Sequence, residues 1–113
     1  MDGDDTELVA VLNDDYSRAI LAEISREPMS APELAESIDA SKPTVYRRLS
    51  TLEELDLVAT RGVPDDEGHH RTVYLKAVEA MHVQIDEEGI NVSVDKAVAD
   101  AVDRFTKLMG DLS

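Results

Sequence analysis

Two short segments of this chain open in the same way. Ser30-Ala31-Pro32-Glu33 and Ser41-Lys42-Pro43 each place a serine just ahead of a proline. A serine at an N-cap accepts from the backbone N–H groups that a new helix leaves unpaired, and proline fits the first turn, where no intrahelical N–H is needed. Glu33 completes a capping box with Ser30. The first of these helices is short, with Leu34, Ala35 and Ile38 as its apolar residues, and ends near Ile38. Asp39–Ala40 form a tight turn. The second helix carries Val45, Leu49, Leu52 and Leu55 at helical spacing, which makes one buried stripe. Two capped helices joined by about three residues, the second of them basic, form a helix-turn-helix pattern.

The flanking segments extend that pattern. Upstream, a helix is expected from Asn13, with Asp14 and Asp15 in its first turn, where carboxylates suit the helix dipole. Tyr16, Ala19, Ile20, Glu23 and Ile24 follow helical spacing, and Pro28 ends the helix. Residues 6–12 either extend it backward or form a separate turn, and residues 1–6 are expected to fray. Downstream, residues 57–61 and 71–76 read as strands around a loop, GVPDDEGHH. A helix-turn-helix followed by such a hairpin is a winged helix, here residues 13–77. Residues 81–86 and 90–94 alternate around a turn at Glu87-Glu88-Gly89 and predict a second hairpin within 80–94. A last helix is expected over 95–112, with Val98, Ala101, Val102, Phe105, Leu108, Met109 and Leu112 on one face. That stripe packs either on its own domain or on a second copy. We adopt the second copy, joined through the first helix as well, because a small winged domain has little spare apolar surface. The fold class is thus α+β, mainly α: one winged helix-turn-helix domain over 1–113 with an extra hairpin and a C-terminal dimerisation helix.

Charge and composition narrow the function. Twenty-five acids oppose eleven bases, a net −14, and such a balance ordinarily repels nucleic acid. Its distribution matters more. Lys42, Arg47, Arg48, Arg61, Arg71 and Lys76 balance Glu53, Glu54, Asp56, Asp65, Asp66 and Glu67, so residues 41–76 are neutral and the whole excess lies outside them. Abundant acids with few lysines and one phenylalanine suit a protein kept soluble in molar salt, although an ordinary acidic protein has a similar profile. The chain has no cysteine, which excludes thiolate metal sites, thiol nucleophiles and disulfides. It shows no basic, apolar leader and no membrane-length apolar run, so a cytoplasmic domain is expected. No glycine-rich phosphate loop, catalytic constellation or metal-spaced cluster stands out, so neither an enzyme nor a cofactor is expected.

The candidate site is the exposed face of the third helix. On a wheel with Val45 at zero, Leu49 and Leu52 mark the core side, while Pro43 and Arg47 fall at about 160° and 200°. Ser41, Lys42, Pro43, Thr44 and Arg47 are expected to read bases, Arg47 by two hydrogen bonds to a guanine and Pro43 or Thr44 by contact with a thymine methyl. Ser50 and Thr51 flank that face. Arg48 lies toward the core flank and is expected on a phosphate. Tyr46 either bonds a phosphate or covers the core edge. Arg61, His69, His70 and Arg71 belong to the wing and are expected at backbone or minor groove. His69 and His70 are adjacent and point apart in an extended segment, which argues against metal binding. His82 reads as a structural histidine.

The segments SAPELAESIDASKPTVYRRLSTLEELDLV, DDEGHHRTVY and DRFTKLMGDL resemble, respectively, the helix-turn-helix, wing and C-terminal helix of archaeal, in particular haloarchaeal, ArsR-like winged-helix regulators. The resemblance runs from about Asn13 to Leu112. It implies a homodimeric transcription regulator on a pseudo-palindromic duplex DNA site, and it raises an oxidative stress response as the physiological setting. The Cys or His ligands of ArsR metal sensors are missing at the matching positions, which argues against metal sensing by that route. Inorganic cations are expected at the DNA interface, between phosphates and the acidic body. Two other classes stay open: a winged-helix module that docks on proteins in a transcription or replication complex, and a sensor holding a small ligand at a dimer interface.

Overall fold

The computed structural model describes residues 3–97. Four helices lead into two antiparallel hairpins: α1 (Gly3–Leu12), α2 (Asp15–Arg26), α3 (Ala31–Ser37), α4 (Lys42–Glu54), β1 (Val58–Pro64), β2 (His70–Lys76), β3 (Val78–Asp86) and β4 (Gly89–Lys96). This is an α+β winged helix with a second hairpin. The seven residues Val98, Ala101, Val102, Phe105, Leu108, Met109 and Leu112, expected as a dimer stripe, lie outside the described residues.

The capping chemistry explains where the helices start. Ser30 Oγ accepts from the Glu33 N–H, while Glu33 Oε1 accepts from the Ser30 N–H at 3.1 Å, closing the box. Ser41 Oγ accepts from the Thr44 N–H at 3.3 Å. Both helices also end alike. Asp39 and Asp56 take positive φ of 55° and 59°, and the next N–H reaches back to a carbonyl of the last turn, Ala40 to Ala35 and Leu57 to Leu52. Aspartate tolerates this left-handed conformation better than most residues.

One core binds the helices to the sheets. Ile20, Leu34, Val45, Leu49, Leu52 and Leu57 are fully buried and pack with Ile24, Leu8 and Val11. Met29, between α2 and α3, exchanges two backbone hydrogen bonds with Tyr74 and ties that connection to β2. Ala77 alone separates the hairpins; its N–H bonds the Leu57 carbonyl, and its carbonyl accepts from the Ala97 N–H, each at 3.0 Å. The feet of both hairpins are thereby joined to the end of α4.

Several boundaries differ from the sequence reading, among them the start of β3 at Val78 rather than Met81. Asp14, not Asn13, caps α2, because its carboxylate accepts from both the N–H and the hydroxyl of Ser17 at 2.7 Å. Residues 3–12 form a helix of their own, α1, which breaks before that cap. The wing strands reach inward to Pro64 and His70, so the expected nine-residue loop shrinks and His70 is a strand residue. Pro64 is tolerated at the end of an edge strand, where no ladder N–H is required. At the tip, Asp65 Oδ1 accepts from the Glu67 and His69 N–H groups, and Gly68 supplies the left-handed φ of 84°. Finally, Asp95 and Lys96 continue β4 instead of opening a helix, paired with Ala80 and Val78.

Candidate nucleic-acid interface

The apolar stripe of α4 is anchored by Val45, Leu49 and Leu52, all buried. The opposite face is thereby forced outward. Ser41, Lys42, Pro43, Tyr46, Arg47, Ser50 and Thr51 are exposed, and Thr44 is half-buried. Lys42 and Arg47 have no side-chain partner among the described residues. Two exposed cations of α4 therefore stand unpaired in a chain in which acids outnumber bases more than twofold.

Other members of the expected set are already engaged. The Ser41 hydroxyl donates to Thr44 Oγ1 at 2.8 Å, so this pair builds the start of α4. Thr51 Oγ1 donates to the Arg47 carbonyl at 3.3 Å. Ser50 simply borders the face. Arg48 departs furthest from the expectation. Its Nε donates to Asp14 Oδ2 at 2.9 Å, and its guanidinium lies 5.9 Å from the Tyr16 ring centroid. It thus clamps α4 to the start of α2, and Tyr16, expected inside the α2 stripe, is a half-exposed platform under it. Burial works against ionisation of Asp14. The Ser17 hydroxyl and N–H and the Arg48 charge together outweigh it and hold the carboxyl below its ordinary value.

The wing brings Arg61, His69, His70 and Arg71 to the surface. Arg61 has no partner among the described residues. His69 Nδ1 lies 3.8 Å from Glu67 Oε2. Arg71 is tied back to α3, its Nη1 donating to Glu33 Oε1 at 3.2 Å. That carboxyl is held below its ordinary value by the Ser30 N–H first, then the Ser30 hydroxyl, which outweigh the opposing burial, with Arg71 adding a lesser share. Val63, Val73 and Leu75 form a separate small apolar cluster on the wing.

The sequence reading missed the cleft between these parts. Ser30 and Pro32 at the start of α3, Tyr46 of α4, and Arg71, Thr72 and Tyr74 of β2 wall a hollow of about 380 Å³. Burial, then the Glu53 carboxylate and the Tyr46 phenol, push the Tyr74 phenol above its ordinary value and keep it a donor. Met29 is the link that sets β2 beside α3, and nothing in its local sequence marks a cross-chain bridge. His82, expected as structural, is exposed on the second hairpin and hydrogen-bonds Asp95 through Nε2 at 2.7 Å. Alternation in β3 puts it on the polar side, opposite Met81 and Val83. Among the described residues no group of three or more histidines and acids is arranged to hold a metal, and no helix is long and apolar enough to cross a membrane.

No curated protein matches the chain. Residues 12–61 match the family model described as a helix-turn-helix domain, a span running from the end of α1 through α4 into the wing. Over that span the chain is similar to a helix-turn-helix domain, in keeping with its winged-helix fold.

Proposed function

We propose that the protein is a sequence-specific transcription regulator that binds duplex DNA as a homodimer. The observation that carries this reading is the exposed face of α4, where Lys42 and Arg47 stand without an acid partner beside Pro43. In a helix-turn-helix the N-terminal part of the second helix meets base edges. Arg47 reads a guanine in each half-site, and Lys42, Pro43 and Thr44 complete the reading set. Tyr46 and Thr72 line the cleft beside α4 and meet the phosphate backbone there, while Arg61, His69, His70 and Arg71 serve the wing contact. Arg48 positions α4 through Asp14 and touches no DNA in this arrangement.

Two copies place two such helices in successive major grooves, so the site is an inverted repeat. The acidic body suits a cytoplasm of high salt, as in haloarchaea, with cations shared between its carboxylates and the phosphates. An oxidative signal, if this regulator serves a stress response, reaches a methionine such as Met81 or Met109, since the chain has no thiol. Peroxide treatment that leaves DNA affinity unchanged excludes that route. The binding reading is tested on mismatched duplexes. Arg47→Ala is expected to cost about 1–3 kcal/mol and to relax specificity at one base pair per half-site. Arg48→Ala is expected to weaken all duplexes alike, through loss of α4 positioning. If both variants show the same mismatch profile, Arg47 is not a base reader.

A further inference from the structure

The start of α3 and the wing face each other across the cleft beside α4, and one carboxylate bridges them. Glu33 Oε1 accepts three hydrogen bonds: from the Ser30 N–H at 3.1 Å, from the Ser30 hydroxyl at 2.8 Å and from Arg71 Nη1 at 3.2 Å. The first two belong to the capping box and fix the start of α3. The third ties down a wing cation, and the box is complete without it. Lys42, Arg47 and Arg61 have no acid partner among the described residues, so Arg71 differs from the other cations assigned to DNA. Its pair with Glu33 is open to solvent, the two side chains being 53% and 45% exposed, and an ion pair so exposed is held only weakly. The cleft beside it suits an anion. Arg71, Thr72, Tyr46 and Tyr74 bring a guanidinium and three hydroxyls to its walls, and none of the described residues that wall it is acidic.

We infer that Glu33 occupies, in the free protein, the place at Arg71 that a backbone phosphate of the duplex takes in the complex, so that DNA binds by displacing it. The inference rests on the DNA-binding reading above and adds an acid that opposes binding. Carboxylate and phosphate oxygens are equivalent acceptors for a guanidinium, and the exchange replaces one by the other at Arg71 Nη1. The two Ser30 bonds keep Glu33 in place meanwhile, so α3 stays capped and the displaced carboxylate remains at the edge of the cleft. Two consequences follow from that position. Binding is weakened at every sequence alike, because a phosphate contact carries no base information. The salt response is flattened as well. An arginine that arrives with its own carboxylate brings no net charge to the phosphate and so releases fewer of the cations condensed on the duplex.

Glu33→Gln isolates this role, because glutamine also closes a capping box. The helical circular-dichroism signal and its melt are therefore expected to persist. Affinity for a mixed-sequence duplex is measured across a KCl series for the wild type, Glu33→Gln, Arg71→Ala and the double variant. Glu53→Gln is the control: the Glu53 charge acts on Tyr74 at the same cleft, but Glu53 is not the partner of Arg71. Glu33→Gln is expected to tighten binding about threefold per bound copy. It is also expected to make the slope of log affinity against log salt more negative by about one per copy. Both effects vanish when Arg71 is alanine. No gain, a gain that persists beside Arg71→Ala, or an equal gain from Glu53→Gln overturns the inference. The wild type supplies a second reading by nuclear magnetic resonance. Its Glu33 carboxylate carbon is expected to shift when duplex is added, and an unmoved resonance in the saturated complex overturns the exchange. If neither the wild type nor Glu33→Gln binds any duplex, the DNA-binding reading fails and this inference with it. Binding without these effects refutes only the role of Glu33.

Discussion

Asp14 does two jobs with one carboxylate: it caps α2 through Ser17 and holds Arg48 of α4. The two jobs separate by substitution. Asp14→Ala removes both and is expected to cost about 1–2 kcal/mol in denaturant unfolding. Asp14→Asn keeps a cap acceptor and loses the charge pair, so its cost is expected below about 1 kcal/mol. Equal losses would show that the ion pair, not the cap, dominates. The pH response follows from the same groups. Asp14 and Glu33 are both held below their ordinary values of 3.8 and 4.5 in the fold. Their contribution is therefore complete above those values and lost as pH falls through the lower, folded ones. Tyr74 is raised above 10.0, so its contribution is complete below pH 10.0 and lost above it. Unfolding free energy is expected to be flat between and to fall at both ends; a rise on acidification below pH 4 would contradict the assignment. At this scale the sequence showed Arg47 facing outward, since three buried residues fix the wheel. It did not show Arg48 turned to Asp14, because that contact crosses from one helix to another.

Among the elements, α3 and α4 were legible because each carries its own start signal, a serine cap with proline, and α4 adds an apolar stripe. The break between α1 and α2 was not, since Asn13 and Asp14 are both competent caps and the choice depends on Ser17 and Arg48. The wing strands were read short because Gly62 and Pro64 look like loop residues, yet an edge hairpin accommodates both. β4 was read short because Asp95 resembles a helix start, whereas it pairs with Ala80 and bonds His82. The α4 stripe should dominate the energetics: Leu49→Ala, at a fully buried position, is expected to cost about 2–5 kcal/mol in chemical unfolding. Gly68 lies at φ 84° with no atom within 4 Å of a built Cβ, so Gly68→Ala meets backbone strain alone. It should cost about 1 kcal/mol or somewhat more locally, weaken DNA binding through the wing and leave the core melt nearly unchanged. A collapse of the core melt would mean that the wing tip is coupled to the helices.

For the whole molecule, charge is the dominant fact. An ordinary DNA binder loses affinity steeply as salt rises, because phosphate contacts release counterions. Here residues 41–76 are neutral and the surplus acids lie outside them, so on the proposed reading the body is expected to repel DNA at low salt. Raising KCl is expected to screen that repulsion and to place cations between carboxylates and phosphates, which gives a shallow or inverted salt dependence. A steep negative slope in a KCl titration would refute this. The central claim is that the exposed face of α4 reads duplex DNA in a dimeric arrangement. It is tested most directly by selecting bound duplexes from a random pool in about molar KCl, with wild type and Arg47→Ala side by side. The account predicts an enriched inverted repeat for the wild type and a relaxed base pair in each half-site for the variant. No enrichment by a folded wild-type sample would contradict it and turn the search to protein partners.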